Sequence, residues 1–376
     1  GVFLLPLSSH FSWDRASVAS IYSIYMICLG LGSLLSGIAF DRFGPRFNYM
    51  VGLGLLATSY GLLGNLTSIW QFFIILGVFG GIGASMVGVV PAQSLVSRWF
   101  DKNLGTALSI AYAGQGLGVL IMAPISQILI DDVGWQLSYK YISYVFVFLF
   151  IIASILPWNR ISKGSKNNPR KTLNGKAVGG ISLIKAVKEK TFWGFFFIFC
   201  FTAVGIFGIS LHVVAYLVYI GLSEVQAAFS FGIAGMLNFV GMVLTGLAAD
   251  KYPRHIVATV SYLLSFIAIF SLALMQLFPS IILLILFVLG FGLSAGARGP
   301  IITTLMAEIF AGKGLASIYG ATNLGQGLGA ATGALLAGFL FDLTGGYNFG
   351  FLICTIFTFL GALLFWTVPQ IRYAKI

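Results

Sequence analysis

Charge is what this chain has least of. Only 8% of its 376 residues are Asp, Glu, Lys or Arg, against 59% hydrophobic, and the mean hydropathy is +0.99. So little polar surface cannot coat a water-soluble globule of this length, which excludes a soluble fold and leaves the lipid bilayer as the solvent. Cysteines are scarce too: Cys28, Cys200 and Cys354 each sit inside an apolar run, with no pair at disulfide or metal-ligand spacing. That excludes a disulfide scaffold and a thiolate metal centre, and no other cluster calls for a metal or a cofactor. Basic residues outnumber acidic ones 21 to 10, but they are scattered over six loops, which argues against nucleic acid as a partner.

Long apolar runs are what the chain has instead. A membrane helix needs roughly 20 mostly apolar residues. Eleven such spans lie near residues 16–40, 48–64, 69–97, 105–130, 139–157, 191–218, 224–249, 256–275, 281–309, 314–341 and 347–368. The pattern predicts an all-α membrane protein.

The chain also repeats itself. Gly114-Gln115-Gly116-Leu117-Gly118 returns 211 residues later as Gly325-Gln326-Gly327-Leu328-Gly329, and Asp41 and Asp250 stand 209 apart in the same order. A tandem duplication of membrane helices implies two related bundles about a shared path, the architecture of a transporter. The 209 offset places Gly1 opposite Ser210, deep inside the 191–218 span, so the first helix is expected to be truncated here and the parent to have twelve. The expected division is an N-terminal half-bundle at 1–158, a cytoplasmic linker with a short surface helix at 159–190, and a C-terminal half-bundle at 191–376.

With the first helix running outward, 18 of the 21 Lys and Arg residues fall in inner segments, and only Arg15 and Lys140 in outer ones. The acids split evenly, so this is the positive-inside bias. Both termini are expected in the cytoplasm and the protein in the plasma membrane, working as a monomer. Pro91 and Pro300, 209 apart, each interrupt a long span near its inner third and are expected to bend it. Glycines at four-residue spacing, such as Gly77 with Gly81, Gly114 with Gly118 and Gly325 with Gly329, are expected to let helix backbones approach closely.

Gly37-Ile38-Ala39-Phe40-Asp41-Arg42-Phe43-Gly44-Pro45-Arg46 resembles the loop signature of the major facilitator superfamily, and its echo, Gly246-Leu247-Ala248-Ala249-Asp250-Lys251-Tyr252-Pro253-Arg254, stands where the duplication requires. The resemblance implies two six-helix bundles related by a pseudo-two-fold axis. Asp41, Arg42, Arg46, Asp250, Lys251 and Arg254 are then gating candidates, an Asp and adjacent cations bridging helices at the inner face in one conformation. Within that superfamily, Phe11-Ser12-Trp13-Asp14-Arg15-Ala16 and Ser97-Arg98-Trp99-Phe100 resemble the monocarboxylate and oxalate:formate transporter group. Members of that group commonly carry an Asn and, four residues on, an Arg in the eighth helix. This chain has Asn238 and then Met242 there, and the Lys often found in the eleventh helix of the oxalate relatives is also missing.

One charge remains inside a span. Arg298 lies 17 residues along the 281–309 stretch, roughly 25 Å deep, where a cation costs on the order of 3 kcal/mol. It should face a wet cavity, and an anionic substrate could complete its site through paired hydrogen bonds. The alternative is a structural Arg capped by backbone carbonyls or locking a gate. His212 is the buried group able to gain a proton near neutrality, hence a candidate for proton coupling and substrate contact, or a hydrogen-bonded structural His. Tyr112, Gln115, Asn238, Tyr319, Asn323 and Gln326 are the remaining in-span polar groups able to orient a ligand. The expected function is secondary transport of a small, monocarboxylate-like organic anion by alternating access, as a proton symporter or an antiporter. Alternatives are transport of another small polar metabolite, or a transport-dead nutrient sensor. An enzyme would need a nucleophile with its base, and Ser210 and His212 point about 200° apart on a helix.

Overall fold

The computed structural model describes residues 3–13, 15–100, 103–164, 172–173, 176–177, 181–310 and 314–372. Its first helices are α1 (Leu4–Phe11), α2 (Arg15–Leu63), α3 (Ile69–Phe72), α4 (Gly81–Val87), α5 (Val89–Trp99), α6 (Leu104–Ile155), α7 (Trp158–Ile161) and α8 (Leu183–Ala186). There follow α9 (Lys190–Tyr219), α10 (Glu224–Lys251), α11 (Arg254–Met275), α12 (Ile281–Ser294), α13 (Arg298–Ile309), α14 (Leu315–Thr344), α15 (Asn348–Thr367) and α16 (Pro369–Arg372). A π-helical stretch, Phe73–Gly80, joins α3 to α4. In the linker, Thr172–Leu173 and Lys176–Ala177 form a two-stranded antiparallel ribbon, and α8 supplies one helical turn.

Two of these helices are too long for one crossing. The 49 residues of α2 would extend ~74 Å and the 52 of α6 ~78 Å at ~1.5 Å per residue, against a hydrocarbon core of ~30 Å. Each reverses at a glycine with positive φ, Gly44 (φ 84°, ψ 175°) and Gly134 (φ 80°, ψ 162°), a backbone state that a side chain disfavours. Among the described residues nine helices are long and apolar enough to span, and the glycine reversals divide α2 and α6 into two passes each, recovering the eleven of the hydropathy pattern. Hydroxyl caps start several of them. Ser68 with Gln71, and Ser223 with Gln226, form capping boxes at α3 and α10.

Both prolines interrupt their helices. A proline lacks the N–H of its turn and its ring clashes with the carbonyl four residues back. Accordingly α4 stops at Val87 and α5 resumes at Val89, with Pro91 in its first turn; α12 stops at Ser294 and α13 resumes at Arg298, two residues before Pro300. Gly88, the extended residue of the first break, and Ala297, which ends the second, are repeat mates 209 apart.

Grouped by packing, the chain forms two compact units. Unit 1 comprises Gly1–Trp99, Gly118–Leu183 and Gly312–Gly327; unit 2 comprises Phe100–Leu117, Ile184–Ala311 and Leu328–Ile376. This partition departs from the duplication boundaries near 158 and 190, because the first turns of α6 pack in unit 2 and those of α14 in unit 1. In unit 1, Leu7, Val18, Leu63, Phe72, Trp135 and Tyr139 form a core. In unit 2, Ile209, Val213, Tyr216, Phe287, Phe291 and Phe351 belong to another. Leu35, Phe148 and Phe270 are more than half exposed, as befits side chains whose solvent is lipid.

Glycine spacing predicts packing only in part. A Cβ on Gly333 would come 2.8 Å from the Val204 Cα, one on Gly327 would meet the Gly30 Cα at 2.9 Å, and Gly77 and Gly81 lie equally tight on Ile24 and Tyr25 of α2. Gly114 and Gly118 do not fit the expectation: among the described residues nothing lies within 4 Å of a Cβ built on either. The two Gly-Gln-Gly-Leu-Gly copies therefore differ in use, the second being a close-packing segment and the first an open one.

Candidate functional site

The break between α12 and α13 gathers several in-span polar side chains of unit 2. Interrupting a helix in hydrocarbon frees backbone groups that must find partners nearby. Asn238 of α10 supplies one, its Oδ1 accepting from the Gly296 N–H at 2.8 Å. Arg298 supplies another, its Nη2 donating to the Ser294 carbonyl at 3.2 Å and to Ser265 Oγ at 2.9 Å. The guanidinium carbon lies 4.3 Å from the centroid of the Tyr262 ring. Tyr262 shares a 2.6 Å hydrogen bond with Thr202 of α9, and the Ser265 and Ser294 hydroxyls share one of 2.7 Å. Met242, standing where the resemblance would place an Arg, packs its side chain on Gly296.

This cage explains how a cation survives there. Arg298 is only 2% exposed. A desolvated cation–π contact contributes ~2 kcal/mol and a hydrogen bond from a charged donor ~1.5–3, enough to offset an insertion cost on the order of 3 kcal/mol. The cage is incomplete, because Arg298 Nε and Nη1 are buried with no hydrogen-bond partner among the described residues. Tyr112 of α6 closes the neighbourhood: a Cβ on Gly299 would come 3.1 Å from its ring, and its hydroxyl shares a hydrogen bond with Thr303.

The other candidate ligand residues lie elsewhere. His212 Nε2 pairs with the Ala334 carbonyl at 3.1 Å. It sits ten residues beyond Thr202 on α9, ~15 Å further along the axis, beside Tyr347. Tyr319 and Asn323 are buried in the first turns of α14, grouped with unit 1, and Asn323 Nδ2 donates to the Tyr319 carbonyl at 2.9 Å. Gln326 is exposed. The side chain of Gln115 lies outside the described residues, although its backbone is helical in α6.

The two repeat-mate aspartates occupy equivalent positions. In unit 1, Asp41 Oδ2 accepts from the Ser317 N–H at 2.8 Å and the Ser317 Oγ–H at 2.7 Å, capping the start of α14. In unit 2, Asp250 Oδ1 accepts from the Gly105 N–H at 2.9 Å, and Oδ2 from the Thr106 N–H at 2.8 Å and Oγ1–H at 2.7 Å, capping the start of α6. Thr106 and Ser317 are themselves 211 apart, the offset of the glycine repeat. Each carboxylate thus meets the positive end of a helix contributed by the other repeat.

Of the neighbouring cations, Arg254 joins two helices through an acid on another element. Arg254 is paired in bidentate fashion with Glu308 at the end of α13, Nη2 to Oε1 being 2.7 Å, whereas Arg42 lies over the Phe43 ring and Arg46 and Lys251 are exposed. Arg98 stacks on Phe40 at 4.8 Å and donates to the Ser162 carbonyl. Sequence reasoning missed Ser317, Thr106, Tyr262, Ser265 and Glu308 as partners. The hydroxyl pair at the repeat offset was a usable signal for the first two; nothing local marks Tyr262 or Ser265.

A model of the Major Facilitator Superfamily matches residues 1–297. This chain belongs to that superfamily. Monocarboxylate transporter 12 of Mus musculus is 26% identical to it over 406 residues, covering 100% of this chain and 82% of that protein. Monocarboxylate transporter 13 of Rattus norvegicus is 26% identical over 376 residues, covering 98% and 84%. The solved structure of the proton:xylose symporter XylE bound to 6-bromo-6-deoxy-D-glucose superimposes with a TM-score of 0.74 at 18% identity, covering 98% of this chain and 90% of that one, a likeness of fold. The protein is an integral, multi-pass membrane transporter of the facilitator fold with a small-molecule substrate, and not an enzyme.

Proposed function

We propose that this transporter carries a small, monocarboxylate-like organic anion by alternating access, with the 1–158 and 191–376 halves as its moving bodies. The observation that carries the reading is Arg298, a fully buried cation at a helix break with Nε and Nη1 unpartnered. A carboxylate reaching that break would neutralise the charge and take up unused donors. Asn238 and Tyr112, at Gly296 and Gly299 on either side of it, orient the ligand; Tyr319, Asn323, Gln115 and Gln326 are supporting candidates. The similarity to proteins named monocarboxylate transporters points to the same substrate class.

The Asp41 and Asp250 caps serve as the gate, formed in one conformation and released in the other, with Arg254–Glu308 stiffening the inner end of α13. His212, which pairs with the Ala334 carbonyl, carries the coupling proton. The basic segments face the cytoplasm, in the plasma membrane, and the monomer is the working form. One observation favours a neutral polar metabolite instead: Tyr262, Ser265 and Ser294 already hold one face and one nitrogen of Arg298.

Counterflow in liposomes against labelled mono- and dicarboxylates, and against neutral metabolites, decides between the two. Carboxylate exchange lost by at least tenfold in Arg298→Gln supports the anion reading. Wild-type exchange by that variant ends it, and saturable binding without flux of any substrate would identify a sensor. His212→Gln with an unchanged pH profile would remove the proton role.

A further inference from the structure

Three lysines crowd the entrance to α9. Lys185, Lys188 and Lys190 are all exposed, and with Glu189 as the single acid among them residues 184–190 carry a net charge of +2. The opposite end of unit 2 has nothing comparable. Its connections, residues 220–223, 276–280 and 345–347, contain no Lys, Arg, Asp or Glu. Apolar side chains share the cationic stretch, Ile184 being 76% and Val187 37% exposed. The segment is also held in place: Ala186 is fully buried, and Trp193 Nε1 donates to the Val187 carbonyl at 2.9 Å, tying it to the first turn of α9.

Depth fixes what these groups meet. A tryptophan exposed at the end of a span marks the headgroup level, and Trp193 is 43% exposed. Lys190 precedes it by three residues, ~4.5 Å along the axis, which sets the cations at the height of the phosphates. Below them α9 turns an aromatic flank outward. The Trp193 and Phe197 rings lie 5.9 Å apart and those of Phe197 and Phe201 5.5 Å, with Phe197 39% exposed. Basic and apolar side chains on one segment at this height form an interfacial anchor, in which the apolar groups enter the acyl boundary and the cations attract anionic lipid. A zwitterionic headgroup brings no net charge to offset the lysines. An acidic protein would match the lysines but leave Trp193 and Phe197 uncovered.

We propose that residues 184–190 and the aromatic flank of α9 form a docking site for an anionic phospholipid of the leaflet that meets Lys190. Its headgroup lies on Lys185, Lys188 and Lys190, an acyl chain runs along Trp193 and Phe197, and Ile184 is seated in the same leaflet. The site is independent of the transported substrate and survives any revision of it.

The test uses the full chain in nanodiscs of phosphatidylcholine, with or without phosphatidylglycerol. Retained lipid is read by native mass spectrometry and the segment by hydrogen exchange of the 184–190 amides. The expected result is preferential retention of phosphatidylglycerol, weakening as salt rises, with slower exchange at 184–190 in the discs that contain it. Each of Lys185→Gln, Lys188→Gln and Lys190→Gln should lower the preference about fivefold, the attraction of one basic residue to an anionic surface, and the triple variant should abolish it. Ile184→Asn should cut the exchange protection, whereas Lys251→Gln, at the same end of unit 2 but outside the segment, should leave both readouts in place. Equal retention of the two lipids, a preference that survives the triple variant, protection that survives Ile184→Asn, or an equal loss in Lys251→Gln would overturn the assignment. Protection by soluble polyglutamate in phosphatidylcholine discs matching that by phosphatidylglycerol would also overturn it, in favour of an acidic protein partner.

Discussion

Replacing each repeat-mate aspartate by asparagine separates a local helix cap from a gate. Both Asp41 bonds converge on Oδ2, so an asparagine can keep them through its single carbonyl oxygen. Asp41→Asn then loses only the charge at a helix N-terminus and the charge assistance of two hydrogen bonds, ~1 kcal/mol together. Asp250 divides its bonds between Oδ1 and Oδ2, so its asparagine turns an NH2 group toward at least one backbone donor. Asp250→Asn should cost ~2 kcal/mol, adding a lost hydrogen bond to the same electrostatic change. These figures correspond to roughly 5-fold and 30-fold shifts of a two-state equilibrium. The amide protons of Gly105, Thr106 and Ser317 report the caps directly by hydrogen exchange. If the caps open in a single transport step, each variant accelerates exchange at both, Asp250→Asn more than Asp41→Asn. A rise confined to the substituted cap would leave two independent helix caps and refute the gate, and an Asp41→Asn effect equal to or larger than that of Asp250→Asn would refute the geometric argument.

Glu308→Gln keeps one acceptor for the buried Arg254 guanidinium but removes its counter-charge and one of the paired hydrogen bonds, which should cost ~2 kcal/mol; thermal unfolding checks this, and an unchanged Tm would show that the pair contributes nothing. Tyr262→Phe keeps the ring under Arg298 and loses the Thr202 bond, ~1 kcal/mol. Tyr262→Leu also removes the cation–π contact, ~2 kcal/mol more, so equal Tm losses in the two variants would dismiss the stacking account. Gly333→Leu should force α9 from α14 and reduce folded yield in size-exclusion chromatography, whereas Gly232→Ala, with nothing within 4 Å of its Cβ, should fold as wild type.

The facilitator fold was legible because bilayer thickness writes itself into run length, and because the duplication shows every landmark twice. Pro91 and Pro300 announced both helix breaks, since the penalty for an interior proline is local. Gating partners were half legible: Asp41 and Asp250 stand in a recognisable loop, but the hydroxyls that meet them lie at distant points of the chain and share only the repeat offset. Arg298 stood out as a lone in-span cation. Its enclosure did not, because Tyr262, Ser265 and Ser294 come from two other segments and read as ordinary apolar-helix residues. Gly114 and Gly118 misled, since small residues permit close approach without requiring it, and only the facing helix decides.

Spatial equivalence of the two aspartate caps conceals a difference in time. Ser317 follows Asp41 by 276 residues, whereas Thr106 precedes Asp250 by 144. During synthesis, Asp250 emerges with its partner already made, while Asp41 must wait for a further 276 residues. Translation that stalls between these points yields a nascent chain with one helix start neutralised and an unmatched carboxylate at the other, a signature that membrane quality control could detect.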